Sequence, residues 1–285
     1  MTNRLGHPIS RSGASSSNEE LQRAMFALNS GRPGEAERIA TDMLKANPRH
    51  ILALQVLGGA LQMQNRIADA IAPLEMAARG NHDPRIETML GTALRQADRI
   101  EDALSWLGRA VKRRPPHGPA FYEFGCLLVF VNRKDEAIEA FSRGLEIAPM
   151  MPEFAFQLGF ALFGRGNYAN AKAAFERALS ISPGAASPLF GLAKVHLAIG
   201  ENAAAAGYLR RYLESQPNDA DAWVHLGYCL LEMGDRDAGS ECFRTATRGS
   251  PQNYGIVLAA LVKAGRSRFW LRPSGAARFF QGAKR

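Results

Sequence analysis

The chain is poor in the residues and motifs that carry reactions. Three cysteines in 285 residues, Cys126, Cys229 and Cys242, stand apart with no short spacing, which argues against a disulfide framework or a zinc knuckle and fits a reducing compartment. Free cysteine packs as a small hydrophobe, so the three are expected to be buried or to line a groove. The histidines are scattered: His7 near the start, His50, His82 and His117 between helical stretches, His196 and His225 within them. None has an evident partner, and His225 with Glu232, on one helix face, comes nearest to an acid–base pair. The motifs G-x-S-x-G, H-E-x-x-H, C-x-x-C and G-x-x-x-x-G-K-[ST] are all absent. Gly164-Arg165-Gly166 follows a helical pattern rather than a strand, which makes it a turn and not a phosphate loop. No catalytic residue, metal, cofactor or small-molecule substrate is expected.

Long hydrophobic runs are missing too. A membrane helix needs roughly 18 uninterrupted apolar residues, and the longest candidate, Phe154 to Phe163, is broken by Gln157. The N-terminal stretch lacks the apolar core of a secretory signal, so a soluble, cytoplasmic chain is expected. Residues 1–16 are rich in Ser, Gly and Pro and read as a flexible lead-in, with Ser17 or Asn18 capping the first helix. Acidic residues are absent from both ends: residues 1–17 carry Arg4 and Arg11, and residues 265–285 carry Arg266, Arg268, Arg272, Arg278, Lys284 and Arg285. Those cations account for the net charge of +8, leaving the body of the chain neutral.

What is abundant is repetition. Residues 152–185 set a pattern that recurs at a spacing of 33 or 34 residues, in units starting at Ser17, Ile51, Pro84, Gly118, Pro152, Ala186 and Ala220. Counting from Pro152, apolar or small residues fall at places 4, 7, 8 and 11 (Ala155, Leu158, Gly159, Leu162), then at 20, 24 and 27 (Ala171, Phe175, Ala178). Spacings of three and four put each group on one face of a helix, so the unit is a two-helix hairpin. Place 15 holds Gly31, Asn65, Asp98, Asn132, Gly166, Gly200 and Gly234, residue types that tolerate positive φ, as the turn between the helices requires. Place 20 is Ala36, Ala70, Ala103, Ala137, Ala171, Ala205 and Gly239, which implies close approach of the paired helices. Place 32 is proline in every unit but the second, where His82 stands, and proline stops the second helix. Acids at the start of second helices (Glu35, Asp69, Glu101, Asp102, Asp135, Glu136) suit the helix dipole.

With these places the sequence resembles the tetratricopeptide repeat family over about residues 17–251. Trp223, Leu226, Gly227, Leu230, Phe243, Ala246 and Pro251 lie closest to the family pattern. Glu20, Arg23 and Ala24 make the first unit the weakest. The resemblance implies an all-α, right-handed α-solenoid of seven hairpins, closed by a capping helix at 252–264 and followed by a basic aromatic tail at 265–285.

The resemblance also implies partner binding along an inner surface lined by places 2, 5, 6, 9, 12 and 13 of the first helices. In units one to three these places are mostly polar or aliphatic, with Gln55, Gln62, Thr88 and Arg95 among them. In units four to seven they bring Tyr122, Cys126, Phe130, Phe156, Phe160, Phe163, Phe190, Lys194 and Tyr228. Phe130 and Phe163, near helix ends, are the two most expected to pack as core. Two specialised sites of the family are excluded by position. Leu21 and Met25 stand where a chaperone-binding carboxylate clamp needs polar residues, and the asparagine ladder of sugar-transferase arrays is missing.

These readings point to a non-enzymatic protein-interaction scaffold or chaperone-like adaptor that holds an apolar or aromatic segment of another protein. A helical-repeat RNA binder is the first rival. The neutral body and poorly basic groove count against it, since phosphate contacts need cations along the array. A membrane-surface adaptor is the second, docked through Phe269, Trp270, Arg272, Phe279 and Phe280 of the tail, although packing of Phe269 and Trp270 on the capping helix is the first expectation there.

Overall fold

The structure, a computed structural model, describes residues 12–248 together with Gly255 and Val257, with side chains from residue 17 onward. The tail residues Phe269, Trp270, Arg272, Phe279 and Phe280 and most of the expected capping helix lie outside the described residues. Among those described there are fourteen helices and no strand. The fold is an all-α solenoid of helical repeats, in which consecutive helices pack as pairs.

The chain divides into two compact units, Met1–Ile147 and Ala148–Arg285. The N-terminal unit pairs α1 (Ser12–Asn29) with α2 (Pro33–Ala46), α3 (Ile51–Met63) with α4 (Ile67–Gly80), α5 (Pro84–Gln96) with α6 (Ile100–Ala110), and α7 (Gly118–Phe130) with α8 (Lys134–Ile147). The C-terminal unit pairs α9 (Pro152–Gly164) with α10 (Tyr168–Ile181), α11 (Ala186–Ala198) with α12 (Asn202–Ser215), and α13 (Ala220–Glu232) with α14 (Arg236–Thr247).

Each hairpin turns by the same backbone device. All seven residues at place 15 have positive φ, from 60° at Asn65 and Asp98 to 92° at Gly234. The left-handed residue lets the chain satisfy two carbonyls at the end of the first helix. After α3, the Asn65 N–H donates to the Gln62 carbonyl and the Arg66 N–H to the Leu61 carbonyl, both at 2.9 Å. This is the Schellman arrangement, and its equivalents follow every first helix.

Beyond the turn, the paired helices lock by a knob entering a glycine notch. Leu74 fills the space over Gly58, Leu107 that over Gly91, Phe141 that over Gly125 and Phe175 that over Gly159. A Cβ on any of these glycines would lie under 3.0 Å from the knob. The small residues of place 20 are all buried, in agreement with close helix approach there.

The buried stripe on the first helices is wider than places 4, 7, 8 and 11. Ala53, Ile86, Ala120, Phe154 and Ala222 at place 3, and Ala60, Ala93, Leu127, Val195 and Cys229 at place 10, are also buried. A first helix packs on its own partner and on neighbouring first helices, as α3 does with α4, α1 and α5, so more than one face leaves water. Phe26, at place 10 of α1, is 65% exposed. No hairpin precedes it among the described residues, and Arg32 lies over its ring at 5.5 Å.

The expected cap at Ser17 or Asn18 is not what is found. Helix α1 already begins at Ser12, placing both residues inside it. No proline stands between Pro8 and Pro33 to stop the helix from extending backward, and serine and asparagine are tolerated within a helix. At the other end Val257, in helical conformation, is fully buried with Val224, Leu231, Phe243 and Ala246. No helix among the described residues is long and apolar enough to cross a membrane.

Candidate functional site

In the C-terminal unit, Phe154 and Ala155 turn into the core, which leaves Phe156 and Phe160 on the opposite side of α9. The two rings meet edge to face at 5.1 Å, and both rest on Phe175 of α10, at 5.9 and 5.8 Å. Phe175 is thus the floor of the patch. It fills the notches of Gly159 on α9 and of Gly191 on α11, each of which would set a Cβ 2.7 Å from the ring. Phe160 remains 38% exposed, while Phe156 is half-buried.

Next along the face, Phe190 on α11 packs on Tyr212 at 5.0 Å and on His225 of α13 at 5.8 Å. The Lys194 ammonium lies over three rings, 5.6 Å from Phe160, 5.6 Å from Phe163 and 5.8 Å from Phe190. Tyr228 on α13 is half-buried. Burial, and then the charge of Glu232, push its phenol above the ordinary value.

In the N-terminal unit, Tyr122 leans on Phe141 at 6.3 Å and Cys126 is half-buried. Of the two rings near helix ends, Phe130 is 69% exposed and so does not pack as core, whereas Phe163 packs on Tyr168 at 5.6 Å. Phe130 stands at place 13 and Phe163 at place 12, a difference of about 100° around the helix. That rotation carries one ring into solvent and the other onto the following helix.

Catalytic alternatives gain nothing from this geometry. Burial raises the thiols of Cys126 and Cys242 to about 11 and that of Cys229 to about 12, so all three stay protonated and poorly nucleophilic at neutral pH. No group of three or more His, Cys, Asp or Glu side chains placed to hold a metal occurs among the described residues. The histidines do have partners, contrary to the sequence reading. His50 caps α3 by accepting from the Ala53 N–H. His196 is buried, stacked on Tyr208 at 5.3 Å, with its Nδ1 2.6 Å from Glu201.

One cluster escaped the sequence reading. Glu87 at place 4 of α5 is fully buried, and its carboxylate accepts from Arg113 Nη2 at 2.6 Å and Nε at 3.1 Å, with Arg109 at 3.3 Å. Arg109 also covers Trp106 at 4.2 Å. A charge at a place that is apolar in every other unit except the first, where Glu20 stands, was the available signal. The role is architectural, since the carboxylate is enclosed by its own arginines.

Family profiles described as tetratricopeptide repeat match residues 21–84, 122–186, 162–223 and 220–253. No curated protein sequence matches the chain. Among solved structures, PilF of Pseudomonas aeruginosa is similar with a TM-score of 0.66 at 17% identity, covering 77% of this chain and 98% of its own. A tetratricopeptide repeat protein from Parabacteroides merdae gives 0.59 at 19% identity, covering 88% and 99%. YrrB gives 0.57 at 19% identity, covering 64% and 95%. With the seven left-handed turns and the paired helices, these matches show that the chain belongs to the tetratricopeptide repeat family.

Proposed function

We propose that the chain is a non-enzymatic interaction scaffold, acting as an adaptor or in a chaperone-like role, and that its C-terminal unit holds an extended or helical segment of a partner protein along α9, α11 and α13. The observation that carries this reading is the aromatic patch itself. Phe160 stays in water although Phe156, Phe175 and Phe190 make the surroundings apolar, and such a patch is disfavoured in water until a partner covers it. Aromatic anchors on a rigid floor are the usual seat of binding energy. YrrB, which shares the fold, is described as having an unusual peptide-binding site. The RNA-binding alternative is less well supported. Lys194 is the single cation at the inner places of these three helices, beside Glu153, Asp221 and Glu232, and phosphate binding would need more.

The test is Phe160→Ala. With a partner recovered from native cells and then purified, calorimetry should show a loss of about 2 kcal/mol in binding. Phe26→Ala, on the more exposed ring of α1, should leave affinity unchanged. If Phe160→Ala keeps its affinity, or loses it only in proportion to a drop in unfolding midpoint, the patch is core and the partner binds elsewhere.

A further inference from the structure

Lys194 is placed in a way that packing alone does not account for. Its ammonium stands over the rings of Phe160, Phe163 and Phe190, from two helices, yet among the described residues no carboxylate lies within 4.0 Å of it. Ring faces attract a cation but do not neutralise it. They also hold the methylene stem, so the ammonium is ordered before any ligand arrives. Farther along the same face, on α13, the sign reverses: the charge of Glu232 is felt at Tyr228.

From this arrangement, and resting on the reading of the face as a protein-binding surface, we infer that the partner segment carries one carboxylate set beside large apolar side chains, and that Lys194 is the residue that selects it. The apolar side chains lie on Phe156, Phe160 and Phe190. The carboxylate meets the ammonium beside three rings, where it forms a charge-assisted hydrogen bond. A run of acids is disfavoured, because a second carboxylate placed toward α13 would face Glu232. The carboxylate belongs to an Asp or Glu side chain or to a chain terminus, which share this chemistry.

The experiment uses the full chain as bait for random peptides displayed on phage, in one pool with free C-terminal ends and one with the peptides internal. Wild type, Lys194→Met, Lys194→Arg and Phe160→Ala are compared. The expected result is enrichment of peptides with a single acid next to aromatic or aliphatic residues on wild type, kept by Lys194→Arg and lost by Lys194→Met. Enrichment in the internal pool assigns the carboxylate to a side chain, and enrichment confined to the free-ended pool assigns it to a terminus. A labelled synthetic peptide from the selected set should then bind wild type about tenfold more weakly when its acid is amidated to Asn or Gln. That change should be near neutral on Lys194→Met.

Apolar peptides lacking an acid, enriched on wild type and lost with Phe160→Ala, would overturn the role of Lys194 and leave the groove reading standing. Absence of any enrichment that depends on Phe160 would overturn both. If Lys194→Met melts well below wild type, the peptide amidation on wild type and the Lys194→Arg arm decide, and an amidated peptide that binds equally well refutes the inference.

Discussion

In the N-terminal unit several polar side chains on the inner side of the first helices find partners within the unit. Gln62 donates to the Met89 carbonyl at 3.2 Å, Thr88 to the Pro84 carbonyl at 2.6 Å, and Arg95 lies 3.7 Å from Glu123. In the C-terminal unit the same places bring Phe156, Phe160 and Phe190 together with Lys194, which has no counter-ion among the described residues. The same hairpin can therefore present a polar, internally bonded inner surface or an aromatic one.

A second place shows the same divergence. Place 16, which opens each second helix, is Arg32, Arg66, Arg99 and Arg133 in the N-terminal unit, and each arginine pairs with an acid three residues on. In the C-terminal unit Asn167 and Asp235 accept from the backbone N–H groups of Asn170 and Ala238 instead. One solution is electrostatic and exposed; the other is a true cap.

The comparison can be broken most forcefully at Phe175. Phe175→Ala empties two notches at once and should cost about 4 kcal/mol by urea unfolding. Hydrogen exchange should rise across α9, α10 and α11 and stay unchanged in α3 to α6. Equal loss of protection in both units would show that their stabilities are not separate.

The counterpart in the N-terminal unit is Arg113→Met, which leaves the buried Glu87 carboxylate with Arg109 alone and should cost about 3 kcal/mol. The double variant Glu87→Met with Arg113→Met should recover most of that. A double variant as unstable as the single one would mean that the arginine acts by packing rather than by charge.

A smaller effect is expected at the turns. Asn132 has a φ of 61°, and Asn132→Ala should cost about 1 kcal/mol because alanine keeps the Cβ that is strained there but lacks the short polar side chain with which asparagine offsets that strain by local hydrogen bonding. Asn132→Gly should be close to neutral, and a thermal melt separates the two.

The smallest test concerns place 16. Asp235→Ala removes a cap and should cost about 1 kcal/mol, whereas Arg133→Ala removes an exposed pair and should cost about 0.5 kcal/mol or less. Unfolding midpoints that reverse this order would show that the exposed arginine is the stronger solution.

Much of this was legible in the sequence, for physical reasons that differ by residue. The turns were legible because positive φ restricts place 15 to few residue types. The helix pairing was legible because place 20 cannot be large. The second buried face was not, since places 3 and 10 are set by contact with neighbouring hairpins rather than by the periodicity of one. The different surroundings of Phe130 and Phe163 were not legible, because they depend on a single residue of register. Glu87 was passed over because its partner Arg113 lies past the end of α6, where no helical spacing connects them. The grouping of Phe160, Phe163 and Phe190 around Lys194 needed coordinates, since it joins two helices more than thirty residues apart in sequence.

The shared seat of Phe175 has a consequence for how such a chain can change over time. A knob that fits only a glycine of its own hairpin, as Leu107 does at Gly91, travels with that hairpin when a repeat is copied or deleted. Phe175 also fills the notch of Gly191, which belongs to the next repeat. Inserting a repeat after residues 152–185 would separate the ring from its second notch. Insertion of a repeat should accordingly be resisted at this junction, which lies directly beneath the aromatic patch, unless the inserted unit brings both a knob and a notch of its own.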